Sequence, residues 1–219
     1  MSSPEIDGAV DLPLRSLAVQ RALAKRQAVY ADEVQRLLDA GLEVMRRTGT
    51  AETPRVADIV RQAGLSNQAF YRHFAGKEDL VAAIVEAGMH RLAGYLRHQI
   101  GKDDCPEDQI RRWIEGIMSQ AANPEVAHST RAVLWNRGHL GDHNRESNVL
   151  SNQVFAELLV EPLARFGSRD PHRDASVICH AAMGRMNEFL WRPLRPQPAD
   201  TAHLVRFCLA AVDRGATPS

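Results

Sequence analysis

The sequence predicts an all-α protein, and three observations carry that reading. Alternating runs of β-branched and polar residues, the mark of a half-buried strand, are nearly absent. Apolar residues instead return at helical spacing, about every 3.6 residues, along most of the chain. Glycine and proline clusters then divide that pattern into segments of helix length.

Taken in order, Leu12–Tyr30 sets Leu14, Leu17, Leu23 and Val29 among Arg15, Arg21, Lys25 and Arg26, a basic and partly helical arm. Asp32 is placed to cap a helix with the apolar stripe Val34, Leu38, Gly41, Leu42 and Met45, and Gly49 to end it. A short helix follows with Val56, Ile59, Val60 and Ala63 inward. Gly64 supplies a turn, and Ser66 caps the next helix, Asn67 to His73 or Phe74. The run Gly76-Lys-Glu-Asp is a third start signal, from which Leu80, Ile84, Val85, Leu92 and Leu96 descend one face of a long helix to about Ile100. Cys105-Pro106 opens a helix to about Asn123, and Pro124 another to about Gly138. The segment from about Asp142 to Phe166 carries Pro162, which threatens to kink it. A helix then runs from Pro171 to near Trp191, and a last one from about Ala199 to Arg214.

Bulk properties narrow the class. No apolar run approaches the ~18 residues of a membrane span. The acidic first twelve residues lack the layout of a signal peptide. Cys105, Cys179 and Cys208 are widely spaced and form no CxxC pair, which argues against a disulfide framework or zinc knuckle and fits a cytoplasmic protein. Net charge is zero, but it is unevenly spread. Residues 13–80 carry eleven Lys/Arg against eight Asp/Glu, whereas 81–219 carry sixteen of each. The positive excess therefore coincides with the most unusual stretch of the chain, Ser66 to Leu80.

Two short helices joined by a tight glycine turn have helix-turn-helix dimensions. In that unit the second helix enters the major groove of DNA. Asn67 and Gln68 stand in its first turn, where amides bond bidentately to adenine. Ser66, Tyr71, Arg72, His73 and Lys77 are candidate phosphate or cap partners around them. Bland alternatives exist for each. Phe70 and Phe74 read as core anchors, Tyr71 as a phosphate contact or a packing residue, and His73 as a cap or a phosphate contact.

At these residues the chain resembles a known family. RVADIVRQAGLSNQAFYRHFAGKEDL, with the preceding VQRLLDAGLEVMRRTG, is similar to the DNA-binding signature of the tetracycline-repressor (TetR) family of bacterial transcription regulators. The likeness is strong over about Ala31–Gly88. It implies an N-terminal extension over 1–30, a helix-turn-helix DNA-binding domain over 31–76, and a ligand-binding and dimerisation domain over 77–219. Two positions depart from the pattern. Arg55 stands where the family usually has threonine or serine, and is a candidate DNA-backbone contact. Ala69 replaces a favoured threonine, removing an expected hydroxyl-to-phosphate contact.

The resemblance also implies that the last two helices pair with their symmetry mates. Val177, Ile178 and Ala181, with Leu204, Val205, Cys208, Leu209 and Val212, are the candidate seam, the alternative being an intrachain core face. A pocket among the middle helices is expected to use Trp113, Met118, Trp135, Phe155, Met183 and Met186 as walls, with Arg131, Asn136, Arg137 and Asn187 as polar orienters. That balance suits a fairly large apolar effector.

Enzyme signals are poor. There is no Gly-x-Ser-x-Gly elbow, phosphate-cradling glycine loop or His-Glu-x-x-His. His139 with His143 and Glu146 is a weak metal spacing, Cys179-His180 a weaker catalytic pair, and no cofactor is implied. The expectation is a cytoplasmic, homodimeric, ligand-responsive repressor of a palindromic double-stranded DNA operator, with no membrane association. Its rival is an all-α small-molecule-binding protein or enzyme that keeps the fold without operator binding.

Overall fold

The computed structural model describes residues 11–139, 143–192 and 194–213, and among them the ordered elements are nine α-helices, with no strand. They are α1 (Asp11–Thr48), α2 (Val56–Ala63), α3 (Asn67–His73), α4 (Lys77–Ile100), α5 (Pro106–Ala122), α6 (Pro124–Arg137), α7 (His143–Phe166), α8 (Pro171–Trp191) and α9 (Pro198–Ala211).

The first helix corrects the expected boundary at Asp32. The arm and the predicted first helix are one continuous 38-residue α1. The reason is local: from Leu14 to Ala40 there is neither glycine nor proline, and alanine, leucine, arginine, lysine and glutamine dominate the arm. Asp32 is not a cap but lies mid-helix, 3.8 Å from Arg36 one turn on. Leu17, Val19, Leu23 and Val29, in the first half of α1, are exposed. The inner half buries Leu37, Ala40, Val44 and Met45, a face rotated slightly from the predicted stripe, so that Val34, Leu38 and Leu42 lie at its edge.

That face joins Ile59, Val60 and Ala63 of α2, Phe70 and Phe74, and Leu80, Val81, Ile84 and Val85 of α4 in one apolar core. The helices approach closely at Gly41. A Cβ there would stand 2.8 Å from Ile84 Cδ1 and 2.9 Å from Leu80 Cδ2.

A second core forms around α5, whose Ile110, Trp113, Ile114 and Ile117 are fully buried. Leu159 and Leu163 of α7, Cys179, Ala182 and Leu190 of α8, and Leu204 and Val205 of α9 close around it. Helix α7 continues across Pro162, with a buried leucine on either side. Helix α9 begins one residue earlier than expected because Pro198 suits the first helical position and Gln197 with Asp200 forms a capping box. It ends at Ala211; Arg214 lies outside the described residues.

Helix α4 belongs to both cores. Leu80 to Val85 pack in the first, Ala93 and Leu96 in the second, and Met89 lies against both.

Candidate nucleic-acid interface and effector cavity

Three local devices shape the α2–turn–α3 unit. Gly64 adopts φ 64°, ψ 36°, a left-handed conformation that glycine takes without a Cβ penalty. Leu65 N–H then donates to Val60 C=O at 2.9 Å, closing the end of α2. Ser66 Oγ accepts from Ala69 N–H at 3.1 Å and so starts α3. The predicted cap is therefore present, and Ser66 is also exposed. From α1, Arg36 Nη2 donates to Ala63 C=O at 2.6 Å and to Gly64 C=O at 3.2 Å, bracing the same turn.

Glu33 does the same for the far end of α3. Its carboxylate accepts from Arg72 Nη2 at 2.9 and 3.1 Å, and lies 2.6 Å from His73 Nε2. The hydrogen bond from His73, then the neighbouring Arg72 charge, hold the Glu33 carboxyl below its ordinary pKa. Tyr30 closes over His73 edge-on, with ring centroids 4.3 Å apart. This corrects the reading of His73 as a phosphate grip. Its side chain is 0% exposed, so it is a buried link between α3 and α1. Arg72 is half exposed but already engaged by Glu33. Glu33 and Arg36 were not candidates from sequence, since their partners lie 27 to 40 residues away.

With the turn before it and its last residues fixed, α3 presents a polar edge. Asn67 and Gln68 are exposed beside Ser66, and Tyr71 is 61% exposed. Phe70, on the opposite side, is fully buried, with Phe74 nearly so. Ala69 is buried as well, so the hydroxyl missing there is not missing from the outward edge. Arg55 is strongly exposed at the start of α2, 3.9 Å from Glu52, and makes no side-chain cap bond. Lys77 Nζ donates to Thr53 Oγ1 at 3.2 Å and remains partly exposed at the start of α4. The edge can meet base rims in a groove while Arg55, Tyr71 and Lys77 flank it with donors.

The second feature is a cavity of about 1020 Å³ where α4, α5, α6, α7 and α8 converge on the end of α1. Of the predicted wall residues, Phe155, Met183 and Met186 line it, and Asn187 does so as a polar group, accepting from Trp191 Nε1 at 3.0 Å. Trp113, Met118, Arg131 and Trp135 do not. Trp113 and Met118 fill the second core, and Trp113 Nε1 donates to Phe155 C=O at 3.1 Å. Arg131 Nε donates to Leu190 C=O at 2.6 Å, and Trp135 packs against His139, tilted, with centroids 4.2 Å apart. Asn136 is buried and turned back to Ala132 C=O. Arg137, by contrast, does line the cavity, and burial lowers its pKa. Leu42 and Arg46 of α1 and Val85 and Leu92 of α4 were not foreseen as wall residues.

The chain's own core takes most of the predicted seam. Ile178, Leu204, Val205, Cys208 and Val212 are buried within the chain, the intrachain alternative, while Ala181 and Leu209 are half-buried. Val177 remains 61% exposed, and Phe207, which was not singled out, 63%. Cys179 points into the core and donates to Asn152 C=O at 3.5 Å, whereas His180 is exposed and turned to Ser176 C=O, so the two do not pair. Burial pushes the Cys179 thiol up to about 12 and the Cys208 thiol up to about 11. The side chains of His143 and Glu146 lie outside the described residues. No described helix is long and apolar enough to cross a membrane.

Comparison with known proteins bears on the same segment. The family model for bacterial regulatory proteins, tetR family, matches residues 37–84. SrpR, an HTH-type transcriptional regulator of Pseudomonas putida, is 35% identical over 133 residues, which are 60% of this chain and 57% of its own length. The match therefore spans little more than half of that relative. TtgW, also of Pseudomonas putida and described as an uncharacterized HTH-type transcriptional regulator, is 35% identical over 133 residues, covering 60% of this chain and 91% of that one. A solved TetR-family transcriptional regulator from Streptomyces coelicolor shares the fold at a TM-score of 0.64 and 19% identity, over 83% of this chain and 90% of that one.

Proposed function

The chain belongs to the tetR family of bacterial regulatory proteins and is a helix-turn-helix transcriptional regulator, and from that premise we propose that it is a ligand-responsive repressor binding a palindromic operator as a homodimer. The observation that carries this reading is the exposed edge Ser66–Asn67–Gln68–Tyr71 on a helix whose last residues are tied to α1 by Glu33, and whose leading turn is tied to α1 by Arg36. A reading helix must hold its side chains against base edges, so its stiffness is part of its specificity. Asn67 and Gln68 are the proposed readers; Arg55, Ser66, Tyr71 and Lys77 grip phosphate. Arg72 is left to orient α3 through Glu33.

Two copies are needed because half-sites about 34–36 Å apart match two reading helices related by a two-fold axis. Val177 of α8 and Phe207 of α9, exposed apolar side chains, support a seam on the outer faces of those helices, joined at its edge by Ala181 and Leu209. The regulator acts in the cytoplasm, is not an enzyme, and uses no cofactor.

Effector and operator are linked through α1, α4 and α6. Leu42 and Arg46 of α1 and Val85 of α4 face the cavity, and His128 of α6 lies 2.6 Å from Arg46 C=O. An effector that fits a cavity with these helices displaced binds the two forms differently, and that difference is the coupling to DNA.

The test is selection of genomic fragments by the purified full chain, repeated at rising salt. An enriched palindrome whose binding weakens steeply with salt is expected, since each neutralised phosphate adds about 0.9 to the log–log slope. No enriched palindrome, or salt-indifferent binding, leaves the rival reading of a ligand-binding protein on the same fold.

A further inference from the structure

We propose that the cavity binds an amphipathic organic anion, an apolar body with one acidic head, and that Arg137 anchors the head. The inference rests on reading the cavity as the effector site and specifies its chemistry.

The body of the site is apolar: Met89, Leu92, Val133, Phe155, Met183 and Met186 all face it. Its volume of about 1020 Å³ lies at the upper end of the about 300–1,000 Å³ usual for small-molecule pockets. Arg137 enters this surface from the last turn of α6 and is half-buried. Every other half-buried arginine among the described residues has a partner. Arg46 faces Glu43, Arg111 faces Glu107 and Asp108, Arg112 pairs with Asp103, Arg131 bonds Leu190 C=O, and Arg185 pairs with Glu188. Arg137 has no such partner among the described residues, and only the loss of solvent acts on its pKa.

A guanidinium held against apolar surface without a counter-ion is costly. Its planar fork of donors fits a carboxylate or phosphate bidentately, so an anionic head relieves that cost where a neutral or cationic group does not. The rest of the lining has the same sign. Arg46 and Arg91 also face the cavity, against one acid, Glu125. An incoming anion thus meets three guanidiniums and one carboxylate. An apolar cation would find Glu125 alone, near the start of α6 and exposed.

The test compares three probes of equal chain length by isothermal titration calorimetry on the full chain, below their micellar concentrations: decanoate, 1-decanol and decylamine. Wild type is expected to bind decanoate about ten-fold to a hundred-fold more tightly than decanol, the range of a charge-assisted hydrogen bond, with decylamine weakest. Arg137→Gln is expected to abolish the acid preference, bringing decanoate and decanol to similar affinities. Arg137→Lys is expected to restore part of it, which a merely misfolded cavity does not do. Equal binding of acid and alcohol by wild type, an acid preference that survives Arg137→Gln, or no binding of any probe overturns the proposal. Decanol binding without acid preference overturns the anionic ligand and its anchor together, leaving only the reading of the cavity as a ligand site. The operator selection uses no added lipid, so the regulator reading stands or falls independently of Arg137.

Discussion

The two apolar cores on either side of α4 are made from similar residues but packed to different ends. Around α1, α2, α3 and the first half of α4, the helices meet as closely as Gly41 allows, and Phe70 and Phe74 fill the centre. Polar tethers then hold the unit to α1, Arg36 at the turn that closes α2 and Glu33 at the end of α3. Around the second half of α4, a well-filled centre on Trp113 lies beside a cavity of about 1020 Å³. The difference suits the two tasks proposed for the chain. A reading helix has to keep one posture, which close packing enforces. An effector domain has to exist in two arrangements of similar energy, and unfilled volume beside a packed core permits that.

The contrast can be broken most directly by truncating one side chain in each core. Phe70→Ala is expected to cost about 3–5 kcal/mol in urea unfolding, because a full ring is lost from a site that cannot collapse. Met183→Ala, at the half-buried cavity wall, is expected to cost about 1 kcal/mol. Equal costs would mean the two cores are packed alike.

Next in size are the changes on the outward edge of α3. Gln68→Ala is expected to lose about 1–3 kcal/mol of discrimination for the selected operator over random DNA, measured by competition binding. Lys77→Ala is expected to weaken both about equally and to reduce the salt slope by about 1. Matching behaviour of the two variants would refute the division of roles between them.

A smaller effect is expected from the tether. The Glu33 carboxyl is lowered in the folded chain, so its contribution is complete above the ordinary glutamate value of about 4.3 and fades as pH falls through the lowered value. Glu33→Gln is expected to flatten the acid limb of the stability profile in that window, read by circular dichroism. An unchanged acid limb would remove the tether from the account of α3.

The smallest effect belongs to the thiols of the second core. Their raised pKa values mean that the stabilising neutral form is fully present below about 8.5 and is lost as pH rises towards 11 and 12. At pH 8, iodoacetamide is expected to label the exposed Cys105 first and the buried pair only on unfolding, followed by mass spectrometry. Fast labelling of Cys179 would show that the second core is looser than its packing implies.

Legibility differed between the same two regions. In the first, spacing alone placed Ile59, Val60, Ala63, Phe70 and Phe74 inside, because short helices on tight turns leave few alternative faces. His73 was ambiguous because its partner, Glu33, is 40 residues away on another helix. In the second, Phe155, Met183 and Met186 reach the cavity, whereas Trp113 and Met118, of the same chemical type, fill the core. Residue type does not distinguish a cavity wall from a core centre; relative helix position does.

From its own order of residues, the chain determined the all-α class, the helix-turn-helix unit with its Gly64 turn and Ser66 cap, and the outward amides of α3. These are local properties, set by periodicity, caps and φ preferences within a few residues. Tertiary structure decided that His73 is a buried link, that Ile178 and Val205 serve the chain's own core, and that Arg137 faces a largely apolar cavity without a described counter-ion. Those outcomes depend on which distant helix covers which face, and no short stretch of sequence carries that information.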